Sequence, residues 1–189
     1  FGGSLTLGGG GGAIRRGAGA NKSVRPTSGT LTIGPSLTVR STGTGGGTVG
    51  SGALGLVNQG TITADTGGGT LVVAGGTTGA RWTNTGLLKA NGGTLRVDGF
   101  FDNSAGTVEV AAGTLDLNGT VSTSQLGTLT NTGGTTVLSG TLENTGQTLT
   151  LDATTGSIRH SGTIQGGTIA ATGGAALTTT TFDGASFTG

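Results

Sequence analysis

Short segments in which aliphatic and polar residues alternate recur along the chain. TLRV, TVEV, TLDL and TLTL are typical, each with an aliphatic residue at every second position. Alternation over a few residues predicts a short strand with one buried face, and the Thr and Val residues favour a pleated surface. Gly and Asn, which favour turns, lie between the segments. The pattern therefore predicts many short strands joined by turns.

The segments repeat with a period of about twenty residues. NTGLLKANGGTLRVDG (84–99) aligns with NSAGTVEVAAGTLDLNG (103–119), and each unit holds three predicted strands. Such a period is typical of a solenoid, in which each coil stacks on the previous one. The aligned pairs, all at an offset of 20, are Gly86 and Gly106, Leu88 and Val108, Leu95 and Leu115, Val97 and Leu117, and Gly99 and Gly119.

The same pattern places the strands of the later units and divides the chain. Residues 1–57 are less regular and form a Gly-rich start of the solenoid, whereas residues 58–189 form regular coils that are truncated or continue beyond the C-terminal end. GGTTGAR predicts a surface loop around Gly79. The predicted strand positions are Val108, Leu115 and Val121, then Leu129, Leu138 and Leu142, then Leu149, Ile158 and Ile164, and then Ile169, Leu177 and Phe182.

We therefore predict an all-β fold, a parallel β-solenoid of the right-handed β-helix kind, with three short strands per coil of about 20 residues. A β-sandwich is the alternative, since it also contains short strands between turns. Strands this short are unusual in a sandwich, and a Greek key has no place for a twenty-residue period.

Two pairs of opposite charges fall on equivalent positions of neighbouring units. Lys89 stacks on Glu109, and Arg96 on Asp116, in the outward positions between buried aliphatic residues. Opposite charges at strand spacing would help to fix the register, although coincidence is the alternative. The Asn residues of the turns before the first strands predict a second stacked feature, an amide ladder in which each side chain bonds its neighbour in the next coil. The alternative is that Asn is used there because it tolerates the left-handed backbone of a turn. These turns begin with Asn58, Asn84, Asn103, Ser124, Asn144 and Gln165.

Composition narrows the possible partners. Of 189 residues 45 are Gly, a content common in disordered or fibrous chains, but 31% hydrophobic residues at regular spacing favours a folded repeat. The net charge of +1, without a basic stripe or aromatic platform, argues against a nucleic-acid partner. No run of 18 apolar residues is present, so we expect no membrane insertion.

The repeats resemble the β-strand-repeat segments of bacterial large exoproteins, filamentous-haemagglutinin-like adhesins and autotransporter passengers. The resemblance covers roughly residues 28–189 and is carried by VNQGTITADTGGGTLVVAGG, WTNTGLLKANGGTLRVDG, NSAGTVEVAAGTLDLNG and NTGGTTVLSGTLENTGQTLTL. It implies a secreted or surface right-handed β-helix that serves as a stalk, adhesin or matrix component.

Candidate catalytic chemistry is sparse. Asp98, Asp102, Glu109 and Asp116 lie within two units, and glycan hydrolysis needs a pair of carboxylates. However, Glu109 and Asp116 already have predicted basic partners. His160, the only histidine, is expected to be an exposed strand-end residue, and with no Cys the usual transition-metal ligands are absent. We therefore assign no catalytic, cofactor-binding or metal-binding residue.

Three further features have competing interpretations. Trp82, Phe100 and Phe101 could form a glycan-stacking patch, but core packing is preferred because Phe182 falls on the same column. GGGTVG at 45–50 matches a dinucleotide-binding pattern by letters only, since no strand–helix context follows it. Calcium could bind only through scattered Asp and carbonyl oxygens.

These observations predict a structural or adhesive extracellular rod without enzymatic activity. It would be a segment of a secreted surface exoprotein or a subunit of a head-to-tail filament, located outside the cell or on its surface. Its expected partner is a second copy or the rest of a longer chain, with surface glycans as a further candidate. The alternatives are an ice-binding or glycan-binding solenoid and a carbohydrate-active enzyme.

Overall fold

The computed structural model describes residues 3–17, 22–179 and 186–188. They form a parallel β-solenoid of about 8 turns with roughly 22 residues per turn, which confirms the predicted fold class. Each coil carries short strands on three faces, named A, B and C in the order in which the chain crosses them. A face is the set of equivalent strands from successive coils.

The first three coils each contain three separate strands. These are β1 (Leu5–Leu7), β2 (Gly12–Arg16) and β3 (Lys22–Val24); β4 (Thr30–Ile33), β5 (Leu37–Ser41) and β6 (Gly47–Gly50); and β7 (Gly55–Asn58), β8 (Thr61–Ala64) and β9 (Thr70–Gly75).

In each of the next two coils a single long strand bends around a corner, so that its first half lies on face B and its second half on face C. The strands here are β10 (Trp82–Asn84), β11 (Leu87–Gly99), β12 (Phe101–Asp102) and β13 (Thr107–Leu117).

The last coils return to separate strands and, within the described residues, include one 3-10 helix at Thr123–Gln125. The strands are β14 (Thr120–Ser122), β15 (Thr128–Asn131), β16 (Thr135–Leu138), β17 (Thr141–Glu143), β18 (Thr148–Leu151), β19 (Ile158–His160), β20 (Thr163–Gln165), β21 (Thr168–Ala171), β22 (Leu177–Thr179) and β23 (Ser186–Thr188).

Every strand pairing between coils is parallel. Face A stacks β1, β4, β7, β10 and β12, then β14, β17, β20 and β23, and a bridge from Phe100 to Thr120 joins the two sets. Face C stacks β3, β6 and β9 on the second halves of β11 and β13, followed by β16, β19 and β22. Strands β1 to β6 already follow this scheme. The boundary between residues 57 and 58 stays a prediction.

The predicted twenty-residue register is confirmed in the central coils. Leu88 pairs with Val108 and Leu95 with Leu115, and these inward side chains are at most 3% exposed. Stacking aliphatic residues directly over one another produces one hydrophobic core that extends along the axis of the solenoid. Because each buried side chain packs against equivalent residues above and below, the repeat removes apolar surface from water in every coil.

Two of the three aromatic residues of the predicted patch, Trp82 and Phe101, belong to this core, as preferred from the sequence. Trp82 and Phe101 are each 1% exposed, and their ring centroids are 5.6 Å apart in a stacked arrangement. Phe100 is only half-buried, and the Arg81 guanidinium lies 5.8 Å from its ring centroid. In the last coil the backbone of Phe187 pairs in register with that of Ile164, whereas Phe182 lies outside the described residues.

Glycine at one corner allows the coils to approach closely. Gly119 follows β13 at the corner between faces C and A, directly above Gly99, as the alignment predicts. A Cβ atom on Gly119 would lie well inside contact distance of the Gly99 carbonyl oxygen. Since that oxygen belongs to backbone, it cannot rotate away, and the corner therefore excludes larger residues. At the loop predicted around Gly79, reciprocal backbone hydrogen bonds join Thr77 and Ala80.

Face B is interrupted at one place. Strand β15 pairs only with β13, and β18 pairs only with β21, whereas the other successive face-B strands of the described coils pair with each other. The 3-10 helix precedes β15 and lengthens the turn there. A small cavity of about 180 Å³ lies at the interruption, with Leu129, Leu149 and Leu151 among its lining residues. Faces A and C remain paired across it, through β14 with β17 and β16 with β19.

Candidate functional site

The outward charges of the central coils neutralise one another. Lys89 Nζ lies 2.9 Å from Glu109 Oε1, which confirms the predicted pair. Arg96 and Asp116 also stack in register, but Arg96 Nε lies 2.8 Å from Asp98 Oδ1 on its own strand. The hydrogen bond to Asp98 raises the pKa of Arg96. The Arg96–Asp116 ion pair was therefore a wrong prediction, because residues two apart share one side of a strand and compete with the stacked partner.

The four candidate carboxylates are engaged in structural contacts. Asp98 also accepts a hydrogen bond of 2.9 Å from Asn118 Nδ2, and Asp116 accepts one from the Ser139 hydroxyl. Burial raises the pKa of Asp102, but hydrogen bonds with Ser104 and Gln125 outweigh burial and hold that pKa below its usual range. A general acid for glycoside cleavage instead needs a raised pKa. Asp102 is therefore not poised to donate a proton in this way.

His160 is in the core, so its expected exposure was wrong. It is 0% exposed and pairs with Leu138 in the coil below. The reason is the alternation itself: Ile158 is buried, Arg159 is exposed, and His160 must therefore point inward again. Burial lowers the pKa of His160. No group of three or more His, Cys, Asp or Glu residues that could hold a metal ion occurs in the described part of the chain.

Three buried asparagines form the predicted amide ladder at the corner between faces A and B. Asn58 Nδ2 donates to Asn84 Oδ1 over 2.6 Å, and Asn84 Nδ2 donates to Asn103 Oδ1 over 2.5 Å. All three side chains are at most 1% exposed. Buried amides are costly unless they are hydrogen-bonded, so the stacked pairs both stabilise and align the coils.

The ladder ends at the coil that contains the 3-10 helix. Asn103 Nδ2 donates to the Leu126 carbonyl instead of to a side chain at position 124. In the next coil Asn144 accepts a hydrogen bond of 2.6 Å from the Thr123 hydroxyl and donates to the Gly166 carbonyl. The predicted ladder of turn asparagines therefore does not continue to Asn144, because the helical turn displaces the intervening position.

A polar groove on face C of the first three coils was missed by the sequence analysis. It has a volume of about 540 Å³. Lys22 and Arg25 lie at its wall and are exposed. A signal for it exists in the sequence: residues 1–64 contain five of the 9 Lys and Arg residues and none of the 8 Asp and Glu residues. The other lining residues are Ser23, Gly46, Gly47, Thr48, Gly50, Ser51, Gly52, Thr70 and Val72.

A buried arginine lies beside the glycines of this groove. Arg16 is 5% exposed, and its Nη2 donates to the carbonyls of Lys22 and Gly46. A Cβ atom on Gly47 would overlap the Arg16 guanidinium, so the guanidinium occupies the space of a missing side chain. Burial lowers the pKa of Arg16. Among the described residues, its Nε and Nη1 atoms have no hydrogen-bond partner.

No protein-family model matches this chain, and the comparisons with curated proteins and with solved structures return no match. Within the described ranges, none of the helical segments is both long and apolar enough to cross a membrane.

Proposed function

We propose that this chain is a structural segment of an extracellular or cell-surface rod, of the kind built by bacterial exoproteins and adhesins, and that it has no enzymatic activity. The observation that carries the proposal is the hydrophobic core built from side chains that stack from coil to coil. A solenoid of this kind spans distance with little variety of side chain, since each coil only needs to match its neighbours.

The side-chain contacts support a mechanical role. The amide ladder, the Lys89–Glu109 pair and the Arg81–Glu143 pair, with Nη2 and Oε2 2.6 Å apart, all join different coils. Such contacts resist separation and sliding of coils along the axis. The polar side chains in these contacts help to hold the stack together.

Immunogold electron microscopy of the producing cells tests this proposal. Antibodies raised against the 189-residue chain should label elongated structures on intact cells. Labelling that requires permeabilisation, or that marks compact particles, would contradict the surface-rod role. For the proposed end-to-end partner, a second copy or the rest of a longer chain, light scattering of the purified chain over a concentration series should show growth into longer assemblies if copies stack.

Glycan binding is the second candidate, and the face-C groove favours it over ice binding. An ice-binding face needs Thr in register over many coils, but the outward column on face B contains Arg40, Thr63, Lys89, Glu109 and Thr130. Charged residues interrupt this Thr column. Thermal hysteresis of a dilute solution should accordingly be absent.

A further inference from the structure

We propose that the groove on face C of the first three coils binds an acidic polysaccharide. This inference rests on the glycan-binding candidate given above and makes it specific, and it is independent of whether the chain serves as a surface rod. The argument uses the charge around the groove, its shape and the buried arginine beside it.

The groove lies in a region of uncompensated positive charge. Lys22 and Arg25 are exposed, and neither takes part in a salt bridge within the described residues. The first acidic residue of the chain is Asp65, and it already pairs with Arg40 over 2.6 Å. A concave surface lined by one sign of charge concentrates the opposite charge, so this groove favours an anionic ligand.

The floor of the groove is open because its residues are small. Ser23, Thr48 and Val72 stack in register as the outward column, and glycines lie beside them at positions 46 and 47. The segment GGGTVG at 45–50, which matches a dinucleotide-binding pattern by letters only, therefore has a structural role as part of the groove lining. Short side chains leave backbone and hydroxyl groups accessible, and such groups can bind the hydroxyls of a sugar.

The buried Arg16 adds a second, independent indication. A cation taken out of water is costly when its donors are not all satisfied, and Arg16 retains two such nitrogens. Its guanidinium occupies the inner side of Gly47, whose outer surroundings line the groove. An anion bound in the groove would reduce this cost through the local field, which acts over several ångströms in a medium of low dielectric.

The lining favours a polysaccharide over a nucleic acid. Single-stranded nucleic acids bind on aromatic side chains that stack with the bases, and none of the described residues that line this groove is aromatic. The two cations and the four Ser and Thr side chains of the lining instead match a chain of sugars that carries carboxylate or sulfate groups at intervals.

The test measures binding of the complete chain to dextran sulfate, polygalacturonate, neutral dextran and single-stranded poly(dT). We expect binding to at least one acidic polysaccharide and none to dextran, with affinity that falls as salt is raised. The sulfate and carboxylate probes distinguish which acidic group is preferred. Binding of poly(dT) as tight as that of the acidic polysaccharides would overturn the proposal, as would no binding to either of them.

Three variants locate the site. The double variant Lys22→Gln, Arg25→Gln should weaken binding about tenfold, because it removes two unpaired cations. Arg159→Gln removes an exposed cation of the same face in a distant coil and should leave affinity within about twofold. Thr48→Trp fills the groove without changing charge and should also weaken binding. Equal losses in Arg159→Gln and in the double variant would overturn the site, while the rod seen by microscopy would be unaffected.

Discussion

Lys89 Nζ lies 2.9 Å from Glu109 Oε1, which stacks on it in the next coil. Arg96 is stacked on Asp116 in the same register, but it forms its ion pair with Asp98 of its own strand. Stacked charges therefore form an ion pair only where no nearer acid competes. We predict a coupling free energy of about 0.2–1 kcal/mol for Lys89 and Glu109 in a double-mutant cycle of Ala substitutions. Added salt should reduce it.

The matched control is the cycle for Arg96 and Asp116, which stack without an ion pair. The coupling free energy between Arg96 and Asp116 should be smaller than the coupling free energy between Arg96 and Asp98. Urea unfolding of the single and double variants measures all three couplings. A larger value for Arg96 with Asp116 would show that stacking alone determines the pairing.

The amide ladder predicts a strong dependence of stability on Asn84. Replacing Asn84 by Ala removes an acceptor for Asn58 and a donor for Asn103 inside the core. Each buried group left without a partner costs about 1–3 kcal/mol, so the free energy of unfolding should fall by at least that amount. Asn91→Ala is the control, since Asn91 is exposed and its side chain donates one hydrogen bond of 3.2 Å, to Asp65, within the described residues. Similar losses for both variants in chemical denaturation would refute a special role of the ladder.

The glycine corner predicts a steric effect. Gly119→Ala should lower the free energy of unfolding by about 1–3 kcal/mol, because its new methyl group meets the Gly99 carbonyl and the coils must shift apart. Gly79→Ala adds the same methyl group where nothing lies within 4 Å and should have little effect. Thermal unfolding followed by circular dichroism compares the two, and an unchanged midpoint for Gly119→Ala would count against the tight corner.

The buried His160 predicts acid sensitivity. Its pKa is lowered in the folded chain by burial, so between that value and about 6.5 the unfolded state binds a proton that the folded state does not. Stability should therefore be full above about pH 7 and decline as the pH falls below about 6.5. His160 is the only histidine, and carboxylates titrate lower. Urea unfolding at pH 7.5 and 5.5 should show the decline in the wild type and not in His160→Leu; a decline of equal size in the variant would assign it elsewhere.

The interruption of face B predicts one weak position in the backbone ladder. Thr107 N–H donates to the Gly86 carbonyl over 3.0 Å, but no equivalent bond joins Thr148 to Gly127 in the described chain. The amide of Thr148 should thus exchange with solvent at least about tenfold faster than that of Thr107 in hydrogen-exchange NMR. Equal protection would mean that β15 and β18 pair in solution.

Much of the fold was predictable because the determining signals are local. Alternation identifies which residues point inward, and the offset of 20 identifies which residues stack, as with Leu95 and Leu115. The same alternation would have placed His160 inside, had it been applied to IRH without regard to residue type. The groove was harder to predict, because it depends on small residues from three coils meeting on one face.

The sequence by itself determined the repeating coil, the composition of its core, the Asn58–Asn84–Asn103 ladder and the stacking of Lys89 on Glu109. Tertiary structure alone decided which acid Arg96 binds, where face B opens and how Arg16 fills the space beside Gly47. The physical reason is that burial in a strand follows from a fixed two-residue period. The partner of a long side chain, and the pairing of coils around an inserted turn, instead result from competition among groups that meet only in three dimensions.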